Sequence, residues 1–345
     1  MFRAAARIAG FCAGLLALMT LAGCARSYPM DTLSNGSAYA RQIHWLYVYV
    51  NWIDAGIMAI VLIVAFLAFI FSTRVGEPGE ASSVSSDLRL EIAWTVVPAL
   101  ILVCIVVPSI RVVWSSQPSK WSKNALTIDV IAHQWWWEFR YPQYGIETAD
   151  EVHFPTGREV HFELRSADVI HSFWIPAMGG KRDVIPGQVN QLTFTASQTG
   201  EFDGQCVEFC GVGHANMRFR AFSQTKAAFA KWVKDQKAPP ATPAPGSAAA
   251  AGAKVFDDAP CAICHTIKGH SGFSNKYGPD MYRGPDLTHF GSRTTIAGSI
   301  IENTPQNVAM WIRDPDAVKP GAKMPTLGIK GKDLKNLVAY LESLK

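Results

Sequence analysis

Two stretches of the chain lack the polar positions a soluble element would need. The first spans about 46–71 and includes VNWIDAGIMAIVLIVAFLAFIF; the second spans about 92–113. Each is about as long as the ~20 apolar residues a helix needs to cross a bilayer, so the pattern predicts a two-helix transmembrane hairpin. Trp45, Tyr47, Tyr49 and Trp52 sit where aromatic residues mark the membrane interface. Asp54 is tolerable near the entry and unfavourable deeper. Pro98 and Pro108 predict kinks in the second span.

From Ala125 to about Ala221 the period shortens towards two. LTIDVIAHQWWWEFRY, REVHFELRSA and NQLTFTAS alternate apolar with polar residues and are rich in β-branched and aromatic types. Turns are expected at Tyr141-Pro142, Pro155-Thr156-Gly157 and Pro186-Gly187, and the whole predicts an all-β sandwich or barrel. A Pro/Ala-rich stretch at 236–250 then reads as a semi-rigid linker. A dozen residues in extended polyproline form reach on the order of 35–40 Å, enough to swing a small domain across its neighbour. Beyond it, Leu334, Leu337, Val338, Leu341 and Leu344 share one face of a final helix, and Thr304-Pro305 suits the start of another. The expected plan is an anchor over 25–120, an all-β domain over 121–235 and an all-α domain over 251–345.

Residues 1–24 read as an export signal: Arg3 and Arg7, an apolar run from Ile8 to Leu21, then Leu21-Ala22-Gly23-Cys24. The last four residues resemble a bacterial lipobox, which implies lipidation at Cys24; a plain signal peptide is the alternative. An exported N-terminus with two crossings places both ends outside the cytoplasm. At 345 residues two or three domains are expected, and 32 Lys plus Arg against 28 Asp plus Glu gives no reason to expect a nucleic-acid partner. The seven cysteines stand at 12, 24, 104, 206, 210, 261 and 264, with no obvious pair for a structural disulfide.

The densest chemistry lies in GQCVEFCGVGHANM, Gly204 to Met217. Cys206, Cys210, His214 and Met217 offer two thiolates, an imidazole and a thioether; Glu208 offers a carbonyl, and His171 in DVIHSFWIP a second imidazole. Soft sulfur donors with imidazole favour copper over hard cations. A structural Cys2His2 zinc site uses four of the same residues, and the thioether of Met217 argues against it. Farther on, Cys261-Ala262-Ile263-Cys264-His265 is a C-x-x-C-H, the c-type haem attachment signature. Cys261 and Cys264 would bond the haem covalently and His265 would reach the iron. His133, His153 and His161 read as strand residues, and His270 and His289 as surface or loop residues.

His171, the Cys206–Met217 run, HQWWWEF (His133–Phe139) and KRDVIPG (Lys181–Gly187) closely resemble subunit II of haem–copper cytochrome c oxidases. The C-x-x-C-H, GPDL (Gly284–Leu287) and KMP (Lys323–Pro325) resemble class I cytochrome c, so the combination looks like the fused, caa-type arrangement. The resemblance implies a cupredoxin Greek-key barrel holding the binuclear copper centre CuA. His171 and His214 would each bind one copper, Cys206 and Cys210 would bridge, Met217 would be a weak axial ligand and Glu208 would give its carbonyl. It further implies magnesium on the Glu208 side chain at the subunit I interface, electron entry at Trp135, and a proton-channel mouth at Glu91 in LEIAWTVVP. The sixth ligand of haem c is assigned to Met324 on its Gly/Pro loop, with Met281 and Met310 as alternatives and Met310 read as core. Implied partners are subunit I, subunit III and an external donor such as a cytochrome c or the bc complex, at the bacterial cytoplasmic membrane. A CuA-type nitric oxide reductase subunit and a free-standing tethered electron carrier are the rival readings. No ligand set for oxygen reduction is evident in the chain.

Overall fold

The computed structural model describes residues 30–72, 87–115, 121–268 and 283–345. The expected export signal with Cys24, together with His270 and Met281, lies outside the described residues.

Helix α1 covers Ala38–Ser72 and helix α2 covers Leu88–Ser115. Both extend past the apolar runs, because a helix continues into polar sequence (Ala38 to His44 in α1) once it has left the hydrocarbon. None of the most apolar stretch of either helix is buried within the chain, as suits surfaces meant for lipid or a partner. Trp45 stacks on Tyr49, and the Tyr49 hydroxyl donates to the Cys104 carbonyl at 3.2 Å, joining the two helices. Ser37 caps α1 by accepting from Ala40 N–H at 2.9 Å, while its own hydroxyl donates to the Met178 carbonyl at 2.6 Å. Beside it, Gly36 N–H donates to Ala177 O at 3.0 Å and Ser197 N–H to Gly36 O at 2.7 Å. The hairpin therefore enters the membrane directly from the β domain.

That domain is a sandwich of two five-stranded sheets. One holds β1 (Leu126–His133), β2 (Trp136–Tyr141), β3 (Ile146–Ala149), β5 (Glu159–Ser166) and β8 (Asn190–Thr195), in the order β3-β2-β1-β5-β8. The other holds β4 (Glu151–Pro155), β6 (His171–Trp174), β7 (Arg182–Val184), β9 (Gly200–Cys206) and β10 (Arg218–Gln224), in the order β4-β10-β9-β6-β7. The long run read as one alternating stretch is two strands, β1 and β2, folded on each other antiparallel. Parallel pairing of β1 with β5 and of β4 with β10 shows the chain crossing between sheets, as in a cupredoxin-like fold. Phe139, Phe154, Phe162, Phe173, Phe219 and Trp137 fill the space between them, all fully buried. Gly157 and Gly187 take positive φ (77° and 75°) at two of the expected turns, where a side chain would be strained.

Alternation is clear along β10 from Phe219 onwards and absent along β4, which is buried throughout. The outer face of β4 is covered twice. Helix α3 (Lys226–Lys237) brings Trp232 onto His153, and the C-terminal unit brings Thr294 onto Glu151.

The C-terminal unit is helical: α4 (Ala248–Asp258), α5 (Pro305–Arg313), α6 (Pro315–Val318) and α7 (Gly331–Ser343), with a small ladder of β11 (Thr295–Ile296) and β12 (Ile301–Glu302). The apolar face read for the last helix is buried here, with Leu334, Leu337, Val338, Leu341 and Leu344 around Phe256 and Val308. Helices α4 and α7 cross at Gly252, where a Cβ would stand 1.9 Å from Asn336 O. Thr304 caps α5 with Pro305 in its first turn, as read. The stretch expected as linker is non-helical only over 238–247, since α3 ends at Lys237 and α4 begins at Ala248. Alanine is the best helix former, and Ser247 caps the helix by accepting from Ala250 N–H at 3.1 Å.

Candidate metal and haem sites

Strand β9 delivers Cys206 at its end, and the loop to β10 carries Glu208, Cys210, His214 and Met217. Cys206 N–H donates to Met217 O at 2.9 Å and closes the base of that loop. Strand β6 pairs with β9 through Phe173 and Cys206, which brings His171 alongside. From Cys206 Sγ the distances are 3.8 Å to Cys210 Sγ, 3.8 Å to His171 Nδ1 and 3.3 Å to Glu208 O. From Cys210 Sγ they are 3.6 Å to His214 Nδ1 and 3.9 Å to Met217 Sδ. Two metal–ligand bonds of 2.0–2.3 Å at a tetrahedral angle set their donors about 3.5–3.8 Å apart. The two sulfurs and two imidazoles lie at such spacings, with Glu208 O somewhat nearer and Met217 Sδ slightly farther, so the donor set fits thiolate-bridged metal.

Cys206, Cys210, His171 and Met217 are buried, whereas the Glu208 and Phe209 side chains are exposed. The Cys210 thiol proton bonds Cys206, holding the Cys206 thiol down at about 3 and raising that of Cys210. Burial pushes the His171 imidazole down, but Asp168 and Cys206 together raise it above its ordinary value. Asp168 Oδ1 holds His171 Nε2 at 2.8 Å, which leaves Nδ1 to face the sulfurs. Sequence reading gave Asp168 no role; its place three residues before His171 was the available signal.

Trp135 is half-buried in the turn between β1 and β2 and lies against the ligand loop. Its indole N–H donates to Cys210 O at 3.0 Å, and Gln134 Nε2 donates to the same carbonyl at 2.7 Å. Gly213 allows the approach, since a Cβ there would be 2.5 Å from the indole ring. Trp137 is fully buried against Phe173 and Phe219, and Trp136 stacks on His133. The strand histidines have structural partners: His133 with Glu138 at 2.9 Å, His153 between Phe222 and Trp232, and His161 against Trp121. Glu91 lies in the first turn of α2.

In the C-terminal unit Cys261 lies on a 3-10 turn at Pro260–Ile263 with Cys264 at its end, both half-buried and unbridged. Among the described residues no disulfide forms. His265 Nδ1 donates to Pro285 O at 2.8 Å, so Nε2 keeps its lone pair for a metal. Burial lowers the His265 pKa and favours the neutral, ligating imidazole. Gly284 packs on that ring; a Cβ there would be 2.7 Å from His265 Cε1. Two open thiols beside a braced imidazole fit a covalently held haem. Met324 is half-buried on an irregular loop. Met310, read as core, is instead 42% exposed, because α5 turns it away from α7. His289 does lie outside regular helix and strand, but it is buried, held at 3.1 Å by the Ala238 carbonyl.

Three families match. The cytochrome c oxidase subunit II transmembrane domain covers residues 27–112, its periplasmic domain 145–221, and cytochrome c 249–345. Cytochrome c oxidase subunit 2 of Alkalihalophilus pseudofirmus is 36% identical over 299 residues, 84% of each chain. That of Bacillus subtilis is 36% identical over 288 residues, 79% of each. A crystal structure of the periplasmic domain of subunit II of cytochrome oxidase from Bradyrhizobium japonicum is 35% identical, covering 34% of this chain and 96% of that one, with a TM-score of 0.33. The periplasmic domain implies CuA copper and the cytochrome domain implies haem c. With a membrane hairpin, a copper domain and a haem domain on one polypeptide, this chain belongs to the cytochrome c oxidase subunit II family, as an electron-transfer component of a haem–copper oxidase that partners subunit I.

Proposed function

We propose that the chain is the electron-entry subunit of a proton-translocating oxidase in the bacterial cytoplasmic membrane. It receives electrons from an external donor, such as a cytochrome c or the bc complex, onto haem c. From there they pass to CuA and on to the oxygen-reducing centre of subunit I, with subunit III as a further partner. The reading is carried by one observation: two cysteine sulfurs 3.8 Å apart, each with a histidine nitrogen within 3.8 Å.

Bridging thiolates let a copper pair share one electron, so little reorganises when it arrives or leaves. The residues of this chain fix the surroundings. His171 presents Nδ1 to Cys206 and His214 presents Nδ1 to Cys210, Met217 reaches Cys210 from the core, and Glu208 turns its carbonyl towards Cys206. The exposed Glu208 carboxylate is then available for magnesium at the subunit I interface. Trp135 is the entry point for the electron, since its indole bonds the carbonyl of a bridging cysteine. Met324 and His265 would hold the haem iron; a Met/His pair would raise the haem potential, as suits a carrier. Glu91, at the start of α2, serves the mouth of a proton channel shared with subunit I, and Cys24 carries the lipid.

Metal analysis with electron paramagnetic resonance of the purified protein tests this. Two coppers sharing one unpaired spin, plus one covalent haem, are expected. Zinc, or a mononuclear copper spectrum, would overturn it. Reduction of nitric oxide but not dioxygen by the purified complex would favour the reductase reading.

A further inference from the structure

The C-terminal unit sits on the Trp135 turn, and buried polar groups hold it there. Lys319 is 4% exposed; its ammonium donates to the Trp135 carbonyl and, at 3.0 Å, to Ala297 O within its own unit. Four residues on, Lys323 Nζ donates to Gln134 Oε1 at 2.9 Å and lies 5.9 Å from the centre of a Trp135 ring. It is also 3.9 Å from Asp168 Oδ2, the carboxylate that braces His171. Gln134 and Trp135 both donate to Cys210 O. Lys323 is the immediate neighbour of Met324, so one lysine and one side chain separate the haem loop from the sulfur loop.

The rest of the seat has the same character. Glu151, 4% exposed, accepts from Thr294 N–H and Thr294 Oγ1 at 2.6 Å each and from Thr295 N–H at 3.1 Å. Arg283 pairs with Glu147 at 2.6 Å, and Arg218 N–H donates to Gly298 O at 3.1 Å. Backbones approach so closely that a Cβ on Gly298 would be 2.7 Å from Asn216 O. Gln236 and the Ala238 carbonyl, at the start of the non-helical stretch, bond Ser292 and His289.

Charged surfaces that meet only briefly keep their charges in water, where pairs are weak and screened by salt. Here Lys319 and Glu151 are withdrawn from water and meet specific carbonyls, amides and a hydroxyl, while Lys323 stays partly in solvent beside Gln134 and Asp168. Buried pairs of this kind fix register more than they add stability, because any displacement strands a desolvated charge.

We propose that Lys319 and Lys323 are positioning residues that seat the haem unit on the Trp135 turn as a fixed interface, so that an external donor meets the haem unit alone. This rests on the functional reading above: one electron leaves ferrous haem c, which becomes ferric, and the copper pair gains it.

The test uses the purified oxidase complex, with an electron photoinjected into haem c and its passage to copper timed. In the unmodified complex the rate should not change with viscosity or ionic strength. Lys319→Met should slow it at least tenfold and Lys323→Gln several-fold, with the haem spectrum and binuclear copper signal intact. Hydrogen exchange over residues 134–137 should quicken in Lys319→Met, a change that tracks seating rather than catalysis. Unchanged rates in both variants, or an unmodified rate that falls with viscosity, would overturn the proposal. Should Lys319→Met fail to assemble, Lys323→Gln decides, since that side chain is 42% exposed. Absence of the binuclear signal from the unmodified complex would instead defeat the functional reading.

Discussion

The two cofactor sites of this chain are built by different means. The proposed copper ligands sit on the start of β6 and on the β9–β10 loop of a sandwich whose aromatic core is fully buried, and five short distances link them. The proposed haem ligands come from a 3-10 turn and an irregular loop, and His265 is braced by a hydrogen bond to a backbone carbonyl. A sandwich fixes a metal site from outside.

The sharpest way to break this contrast is to remove a bridging sulfur. Cys206→Ser or Cys210→Ser should abolish the binuclear copper signal in electron paramagnetic resonance while leaving haem c attached. Loss of both cofactors would show that the sites do not form independently. Next, Met324→Ala should eliminate the methionine-to-iron absorption band, whereas Met281→Ala should keep it; the reverse result would move the axial ligand to Met281.

A smaller effect separates the two braces. Asp168→Asn weakens the support of His171 and should lower copper affinity about 10- to 100-fold, measured by competition with a chelator. The haem ligand, held by a main-chain carbonyl, has no side-chain counterpart to lose.

The smallest effect lies at the seam between the units. Asp150, 6% exposed, has its carboxyl raised to about 6 by burial, against an ordinary 3.8. A carboxyl raised in the folded state contributes stability that is complete below 3.8 and lost as pH rises through about 6. Taking pH from 7 to 5 should therefore stabilise the protein by about 1 kcal/mol relative to Asp150→Asn, read from denaturant midpoints. Glu151, whose hydrogen bonds outweigh burial and lower its pKa, loses its contribution only as pH falls below 4.5, outside that window. Lys319, lowered by burial to about 8, lies above it.

What could be read from the sequence followed from local chemistry. Cys206, Cys210, His214 and Met217 on one loop point to a soft metal, and C-x-x-C-H to a covalent haem, because these donors are close in sequence, whereas the distant His171 was placed through the family's pattern. The apolar runs marked where each helix meets lipid but not where it ends, since Ala38 to His44 continues α1 in polar sequence. The Ala-rich stretch looked like linker for want of a periodic apolar face, yet Ser247 and Phe256 turn it into a packed helix. The seat of the haem unit was not legible. Glu151 and Thr294, or Lys319 and the backbone carbonyl of Trp135, lie more than 140 positions apart, and nothing in their surroundings announces a partner.

The junction at Gly36 and Ser37 has a geometric consequence. With the sheet edge bonded to residues that open α1, the azimuth of the copper domain about the membrane normal is set by helical phase. Each alanine added between Ser37 and Trp45 would turn the domain by about 100°, and seven, at nearly two whole turns, would bring it back close to its starting angle. Oxygen consumption should collapse with a single insertion and return in part with seven, as in any shaft keyed to its bearing at one angle.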